Sequence, residues 1–293
     1  MSQEIALLDV PSCQLGESPV WDHRLSRLYW CDITGQRLHA LDWADRRHMS
    51  WPMPDTIGAL GLTTDTDTLV IALRDKVGLH HLPTGRFDLL TDVEAHDPRT
   101  RLNDGKVGPD GAFWVGTMDD RPDRQPIASL YRSTPDGALT RMVGELRTSN
   151  GLAWSPDGAT LYHSDTRPGW IDCWDFDVAT GGISNRRRFA QVVNDAGRPD
   201  GAAMDAEGCY WSAGVSAGCL NRFAPDGKVI QTIPLPLPRP TMPCFCGPDL
   251  DELVITSLRP ETDAALLSAY PNSGGLMVLT PSVKGLASHL FRI

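Results

Sequence analysis

The sequence of 293 residues predicts an all-β protein, a six-bladed β-propeller with four antiparallel strands in each blade. Three observations lead to this fold. Short apolar runs of strand length alternate with turn residues, no stretch keeps a helical period, and one strand-turn-strand unit recurs six times. We therefore expect residues 1–293 to form a single propeller domain.

The recurring unit is clearest around Trp154. An apolar strand ends at this residue, Ser-Pro-Asp-Gly at 155–158 has the composition of a tight reversal, and Leu161 begins the next strand. The equivalent strand ends are Trp21, Leu62, Val107, Trp154, Met204 and Cys246. They lie 41 to 50 residues apart, a period that suits a propeller blade.

Each unit continues into a second hairpin, as at residues 129–137 and 220–227, which brings the count to four strands. Residues 3–9 have the pattern of a strand, and we expect this N-terminal strand to complete the last blade and close the ring. The Pro-rich stretch Ile233–Pro240 falls between the fifth and sixth units. We interpret it as an extended connector between blades rather than a domain linker.

Composition excludes several classes of partner. The net charge of −10, from 27 basic and 37 acidic residues, argues against nucleic acid, and Arg186–Arg188 is expected to be a solvated strand edge. No apolar stretch approaches the ~20 residues that span a bilayer, and residues 1–5 lack a leader pattern. We expect a cytoplasmic protein without a membrane partner, and nothing in the sequence specifies its oligomeric state.

The seven cysteines do not resemble a disulfide framework. Their number is odd, and Cys244-x-Cys246 is the only close pair. Several others lie in apolar strand-like runs, which favours buried thiols in a reducing compartment. No second close Cys or His pair completes four ligands, so we expect no cysteine-based zinc site.

The propeller geometry predicts where chemistry occurs. The innermost strand of every blade enters the central channel from the same face, so residues just before these strands surround one opening. Four positions before each equivalent strand end lie Glu17, Gly58, Asn103, Asn150, Asp200 and Met242. Four of these six carry oxygen-bearing side chains, a donor set that suits a hard divalent cation.

Simpler interpretations exist for each of these four residues. Asn103-Asp104-Gly105 and Asn150-Gly151 have the composition of turns, and Glu17 could be an exposed loop carboxylate. Asp200 is harder to explain in this way. Four of the five Pro-Asp-Gly sequences fall at hairpin reversals, whereas Asp200 precedes its strand because residues 205–208 already supply that reversal.

Familiar catalytic signatures are missing from the sequence. It contains no His-Glu-x-x-His, no Gly-x-Ser-x-Gly, no Walker loop and no Gly-x-Gly-x-x-Gly after a strand. The eight histidines are scattered, and those in strand-like runs, His80, His81 and His163, are expected to be structural.

Several motifs resemble the senescence marker protein/gluconolactonase family, which includes regucalcin and bacterial sugar lactonases. They are Leu-Gly-Glu-Ser-Pro-Val-Trp at 15–21, Arg-Leu-Asn-Asp-Gly-Lys-Val at 101–107, Trp-Val-Gly-Thr-Met at 114–118, Ser-Asn-Gly-Leu-Ala-Trp-Ser-Pro-Asp at 149–157 and Pro-Asp-Gly-Ala-Ala-Met-Asp-Ala-Glu-Gly at 199–208. The resemblance implies one divalent metal ion held by Glu17, Asn150 and Asp200, and a substrate contacted by Arg101 and Asn103. Animal members carry a substrate-touching acidic residue where this chain has Asp119-Asp120-Arg121, and we do not transfer that role.

The resemblance implies metal-dependent hydrolysis of a sugar lactone, such as a glucono-, xylono- or arabinono-lactone, to the aldonic acid. The metal, one of Ca²⁺, Zn²⁺, Mn²⁺, Mg²⁺ or Fe²⁺, would polarise the carbonyl, and Asp200 would accept a proton from water. Asp104 has two interpretations, a group that supports the ligands from behind and a part of the Asn-Asp-Gly turn, and we favour the turn. The alternatives are hydrolysis of phosphotriesters or other lactones, and a non-catalytic calcium-binding or docking propeller.

Overall fold

In the computed structural model, which describes residues 4–293, six four-stranded antiparallel sheets surround a central channel. The innermost strands of neighbouring sheets contact one another in sequence, and the innermost strand of the sixth sheet contacts that of the first. The predicted six-bladed β-propeller is therefore confirmed.

The chain begins with β1 (Ile5–Leu7) and then forms five blades from consecutive strands. Blade 1 contains β2 (Gly16–Asp22), β3 (Arg27–Asp32), β4 (Arg37–Asp42) and β5 (His48–Pro52). Blade 2 contains β6 (Ile57–Leu62), β7 (Thr68–Leu73), β8 (Lys76–His81) and β9 (Arg86–Asp92). Blade 3 contains β10 (Thr100–Val107), β11 (Phe113–Asp119), β12 (Ala128–Ser133) and β13 (Leu139–Leu146).

Blade 4 contains β14 (Ser149–Trp154), β15 (Thr160–Asp165), β16 (Trp170–Asp177) and β17 (Gly182–Gln191). Blade 5 contains β18 (Pro199–Met204), β19 (Tyr210–Gly214), β20 (Cys219–Phe223) and β21 (Val229–Pro234), preceded by a 3₁₀ turn at Asn194–Ala196. Blade 6 contains β22 (Pro240–Cys246), β23 (Glu252–Ser257) and β24 (Met277–Leu279), with the short helix α1 (Ala264–Ala269) before β24.

The N-terminal strand closes the ring, as predicted. β1 pairs antiparallel with β24, with Ile5 opposite Leu279 and Leu7 opposite Met277, and so becomes the outermost strand of blade 6. Residue 3, the first of the predicted strand, lies outside the described residues. Joining the two ends of the chain in one sheet covers the strand edge that blade 6 would otherwise expose.

Every innermost strand has a register shift near its first residues, which the sequence analysis did not anticipate. Glu17, Asn103, Asn150 and Asp200 therefore lie inside β2, β10, β14 and β18, and the expectation that they precede the strands is wrong. A bulge bends the strand and adds a residue without a cross-strand partner, which re-aims the neighbouring side chains.

One bulge depends on a glycine. Gly151, directly after Asn150, has a φ of 66°, and a Cβ there would lie 2.4 Å from the hydroxyl of Tyr210. The same hydroxyl donates a hydrogen bond to the carbonyl oxygen of Gly151 at 2.7 Å. Both the backbone conformation and the close approach exclude a side chain at this position.

The core lies between adjacent sheets. Between blades 3 and 4, the rings of Trp114, Trp154 and Phe176 pack edge to face at centroid distances of 5.6 to 6.1 Å. The Arg186–Arg188 run lies on β17, the outermost strand of blade 4, where its side chains are exposed and pair with Asp172 and Asp175. Its interpretation as a solvated strand edge is confirmed.

Within residues 4–293, no helix is long and apolar enough to cross a membrane. All seven cysteines are buried and carry free thiols.

Candidate functional site

The four predicted oxygen-bearing residues lie at one end of the central channel, where the innermost strands begin. Glu17 comes from blade 1, Asn103 from blade 3, Asn150 from blade 4 and Asp200 from blade 5, and all four side chains are buried. The other two predicted positions carry no ligand. Gly58 has no room for one, because a Cβ there would lie 2.6 Å from the carbonyl oxygen of Leu102.

The two carboxylates of the site repel each other. Burial raises the pKa of Glu17 well above its usual range, and the charges of Asp200 and Asp104 raise it further. Burial and then Asp104 raise the pKa of Asp200, which Arg198 and Arg101 lower only in part. Burying two carboxylates with no cation bound to them costs free energy. A divalent ion bound by both would relieve this cost. Their chemistry therefore fits a hard metal ion.

Asn150 is held in a fixed orientation. Its Nδ2 donates to Oγ1 of Thr166 at 2.7 Å, and its Oδ1 accepts a hydrogen bond from Nδ2 of Asn103 at 3.2 Å. An amide oxygen has two lone pairs, so one stays available to a cation. Asn103 also donates to the carbonyl oxygen of Ser149 at 3.0 Å, so it supports the position of Asn150 from two sides.

Arg101 is positioned by a residue to which the sequence analysis assigned no role. Its Nε donates to Oδ1 of Asp120 at 3.1 Å, and its Nη1 donates to Oδ1 of Asn103 at 3.0 Å. Asp120 also accepts from Nη1 of Arg74 at 3.2 Å. Asp119 has a different role: it is fully buried, pairs with Arg121, and its carboxylate holds the loop that follows β11.

The interpretation of Asp104 as part of a turn is wrong. The residue is buried within β10, where burial raises its pKa and Lys106 lowers it. Its Oδ2 accepts from the backbone N–H of Leu152 at 3.4 Å, and its Oδ1 is buried with no hydrogen-bond partner among the described residues. The Asn-Asp-Gly composition suits a hairpin reversal, but it forms the bulge of an inner strand here.

Lys106 crosses the channel behind the site. Its Nζ donates to the carbonyl oxygen of Ala202 at 2.7 Å, linking blade 3 to blade 5. Burial lowers the pKa of Lys106 and the charge of Asp104 raises it, so the ammonium compensates part of the acidic charge. Farther along the channel lies a mostly apolar cavity of about 90 Å³, lined at its far end by residues 286–289.

Two other groups of potential ligand atoms occur in the described chain. Cys13, Asp32 and His39 form one, and Asp205, Glu207 and Cys209 form the other. The carboxylate of Asp32 already accepts backbone N–H groups, including that of Leu15 at 2.9 Å. Asp205 accepts from Nε1 of Trp211 at 2.9 Å and pairs with Arg222. In both groups the carboxylate holds the fold.

Comparison with known proteins agrees with this architecture. The family model described as SMP-30/Gluconolactonase/LRE-like region matches residues 15–259. A 6-deoxy-6-sulfogluconolactonase of Pseudomonas putida is 39% identical over 279 residues, covering 94% of each chain. Regucalcin of Xenopus laevis is 36% identical over 284 residues, covering 95% of each chain.

A solved structure is also similar over the whole length. A calcium-binding protein, regucalcin, from Agrobacterium tumefaciens superposes with a TM-score of 0.94 at 31% identity, covering 100% of this chain and 98% of that one. The fold and the site define a six-bladed propeller with an oxygen-rich centre on its axis. The chain belongs to the SMP-30/gluconolactonase/LRE-like family.

Proposed function

We propose that this protein hydrolyses a sugar lactone to the corresponding aldonic acid, using one divalent metal ion held by Glu17, Asn150 and Asp200. The observation that supports the proposal most is the pair of buried, mutually repelling carboxylates beside a fixed amide oxygen at the channel opening. The similarity to a 6-deoxy-6-sulfogluconolactonase over 94% of the chain supports a lactone substrate.

Each residue of the site has a separate task in this proposal. A bound divalent ion supplies a Lewis acid that polarises the lactone carbonyl. Asp200 accepts a proton from the attacking water, and general-base assistance of this kind contributes ~10²–10⁴-fold. As the new carbon–oxygen bond forms, the ring ester bond breaks and the departing ring oxygen takes up the proton that Asp200 accepted. No covalent nucleophile is required.

Arg101 is the proposed substrate donor. Its Nε and Nη1 are occupied by Asp120, Asn103 and a backbone carbonyl, whereas Nη2 has no partner among the described residues. The guanidinium is therefore fixed with one donor group free to bind a substrate oxygen. Nδ2 of Asn103 already donates to Asn150 and Ser149. In this proposal Asn103 contacts the substrate through the same amide group that makes these hydrogen bonds.

The proposal is tested by a screen of substrates against metals. Purified protein is treated with a chelator, reloaded separately with Ca²⁺, Mg²⁺, Mn²⁺, Zn²⁺ or Fe²⁺, and assayed for acid release from glucono-, xylono-, arabinono- and galactono-lactone. We expect metal-dependent turnover above the spontaneous rate with at least one pair. Metal binding without turnover of any lactone would support a non-catalytic propeller and refute the proposal.

We propose the cytoplasm as the place of action. The seven free, buried thiols support a reducing compartment.

A further inference from the structure

Five arginines surround the candidate site on the face where the innermost strands begin. Three of them lie one or two residues before an inner strand, and two lie in the loops between the second and third strands of a blade. They are Arg124, Arg147, Arg167, Arg198 and Arg239, and we call them the arginine arc. Both kinds of loop lie at the same face of the propeller. The arginine arc therefore extends over blades 3 to 6.

None of these five guanidinium groups forms an ion pair with a carboxylate in the described chain. Arg124, Arg147 and Arg167 donate only to backbone carbonyl oxygens. The Nε atoms of Arg198 and Arg239 are buried and have no hydrogen-bond partner within residues 4–293. Arginines elsewhere are commonly neutralised: Arg24 pairs with Asp22, Arg132 with Asp110 and Arg222 with Asp205.

The members of the arc are close enough to repel one another. Arg198 and Arg239 line one cleft, and Nη1 of Arg147 donates to the carbonyl oxygen of Arg124 at 2.5 Å. Burial lowers the pKa of Arg124, and the charges of Arg101 and Arg167 lower it further. Arg124 is therefore close to both Arg101 in the site and Arg167 in the arc. Unpaired like charges held close together destabilise the fold, and a bound anion relieves their repulsion.

The arc also lines two open spaces on this face of the propeller. Arg124, Arg147 and Arg167 line a groove of about 220 Å³, and Arg198 and Arg239 line a cleft of about 620 Å³. Arg198 lies two residues before Asp200 and directly before the same inner strand. Arg198 therefore links the arc to Asp200, and the groove and the cleft leave room for a ligand beside the guanidinium groups.

We propose that the arginine arc binds a tetrahedral anionic substituent, a sulfonate or a phosphate ester, carried by the sugar lactone at the end remote from its carbonyl. This inference rests on the proposed lactonase function and specifies its substrate class. Guanidinium groups bind such oxyanions through pairs of charge-assisted hydrogen bonds, and the arc supplies donors that have no carboxylate partner in the described chain. In a chain with a net charge of −10, this local excess of positive charge attracts an anion that the rest of the surface repels.

The test compares three substrates that differ only at carbon 6 of gluconolactone: a hydroxyl, a phosphate ester and a sulfonate. With metal-loaded protein, we expect kcat/KM for at least one anionic lactone to exceed that for the neutral lactone by ten-fold or more. This preference should shrink as the salt concentration rises. The two anionic substrates distinguish a phosphate from a sulfonate ligand.

Two variants assign the preference to the arc. Arg198→Met and Arg167→Met should each reduce the ratio of anionic to neutral kcat/KM by about 10–100-fold, as expected for loss of a hydrogen-bonded charge. Arg292→Met is the matched control, since Arg292 is exposed, lacks a carboxylate partner and lies beside Gly111 at the opposite end of the channel. Thermal unfolding of each variant verifies that it is folded.

The outcomes separate the two proposals. Equal kcat/KM for all three lactones, or a ratio that Arg198→Met leaves unchanged, would overturn the anion site while leaving the lactonase function intact. If no lactone is hydrolysed, the lactonase proposal fails. Calorimetric binding of 6-phosphogluconate and its 6-sulfonate analogue then tests independently whether the arginine arc binds an anion. Binding that Arg198→Met weakens ten-fold or more supports the site, and absence of binding refutes it.

Discussion

Nδ2 of Asn103 donates a hydrogen bond to Oδ1 of Asn150 across 3.2 Å, joining the innermost strands of blades 3 and 4 at the candidate metal centre. Because the same amide also donates to the backbone of Ser149, Asn103 sets the orientation of a proposed ligand. Asn103 is therefore placed to act on metal binding in addition to substrate binding.

Removing this support should weaken metal binding. We expect Asn103→Ala to lower the affinity for the divalent ion by about 10–100-fold, the usual effect of losing an outer hydrogen-bond partner of a metal ligand. Isothermal titration calorimetry measures this. Asn185→Ala, which removes an exposed amide on β17, is the control and should leave the affinity unchanged. An unaltered affinity in Asn103→Ala would show that Asn150 needs no such support.

Asp200→Asn should abolish most of the activity. The substitution removes the proposed base and one negatively charged ligand together, and we expect kcat to fall by at least two orders of magnitude. The matched control is Asp157→Asn, because Asp157 occupies the same position of another Pro-Asp-Gly sequence but is exposed in a hairpin turn. Full activity of Asp200→Asn would remove this residue from the mechanism.

The pair between Arg101 and Asp120 should affect substrate binding more than turnover. Asp120→Asn keeps the shape of the side chain but loses the charge that fixes Nε of Arg101 at 3.1 Å. We expect KM for the lactone to rise about ten-fold with a smaller change in kcat. Asp88→Asn, which alters an exposed pair with Arg86 on β9, serves as the control. A fall in kcat at constant KM would contradict this assignment.

Metal-free protein should become less stable as the pH rises. The folded-state pKa values of Asp200 and Glu17 are raised, so the folded chain holds protons that the unfolded chain releases. The contribution of Asp200 to stability therefore falls between about pH 4 and about pH 8, and the raised pKa of Glu17 acts in the same direction. Differential scanning calorimetry with a chelator should record a falling Tm, by roughly 2–4 °C for each kcal/mol lost.

Glu17→Gln removes one of the repelling charges and should raise the Tm of the metal-free protein at pH 8. In the metal-loaded protein the cation offsets the repulsion, and the decline with pH should become smaller. A metal-free Tm that rises with pH, or that Glu17→Gln lowers, would show that these carboxylates are compensated without a metal.

Much of the fold follows from local sequence chemistry. Ser-Pro-Asp-Gly after Trp154 specifies a reversal by its own residues, and counting from such reversals sets the register that locates Glu17, Asn150 and Asp200. The bulges could not be predicted, because an extra residue in a strand leaves the alternation on either side intact. Asp104 was misinterpreted for this reason.

The arginine arc could not be predicted from the sequence for a different reason. Arg198 and Arg239 are 41 residues apart, and nothing in their neighbouring sequence differs from that of an ordinary surface arginine. Their significance depends on the missing carboxylate partner, which is a property of the folded surface. A partial signal exists, since Arg198 precedes Asp200 by two residues as Arg101 precedes Asn103.

Stoichiometric reconstitution tests the central claim most directly. Chelated protein is titrated with the most effective metal from the screen while acid release from a lactone is followed. We predict that the rate rises linearly to one equivalent and then stays constant, and that Asp200→Asn shows no such rise. Full turnover by rigorously metal-free protein, or no turnover at any metal concentration, would contradict the account.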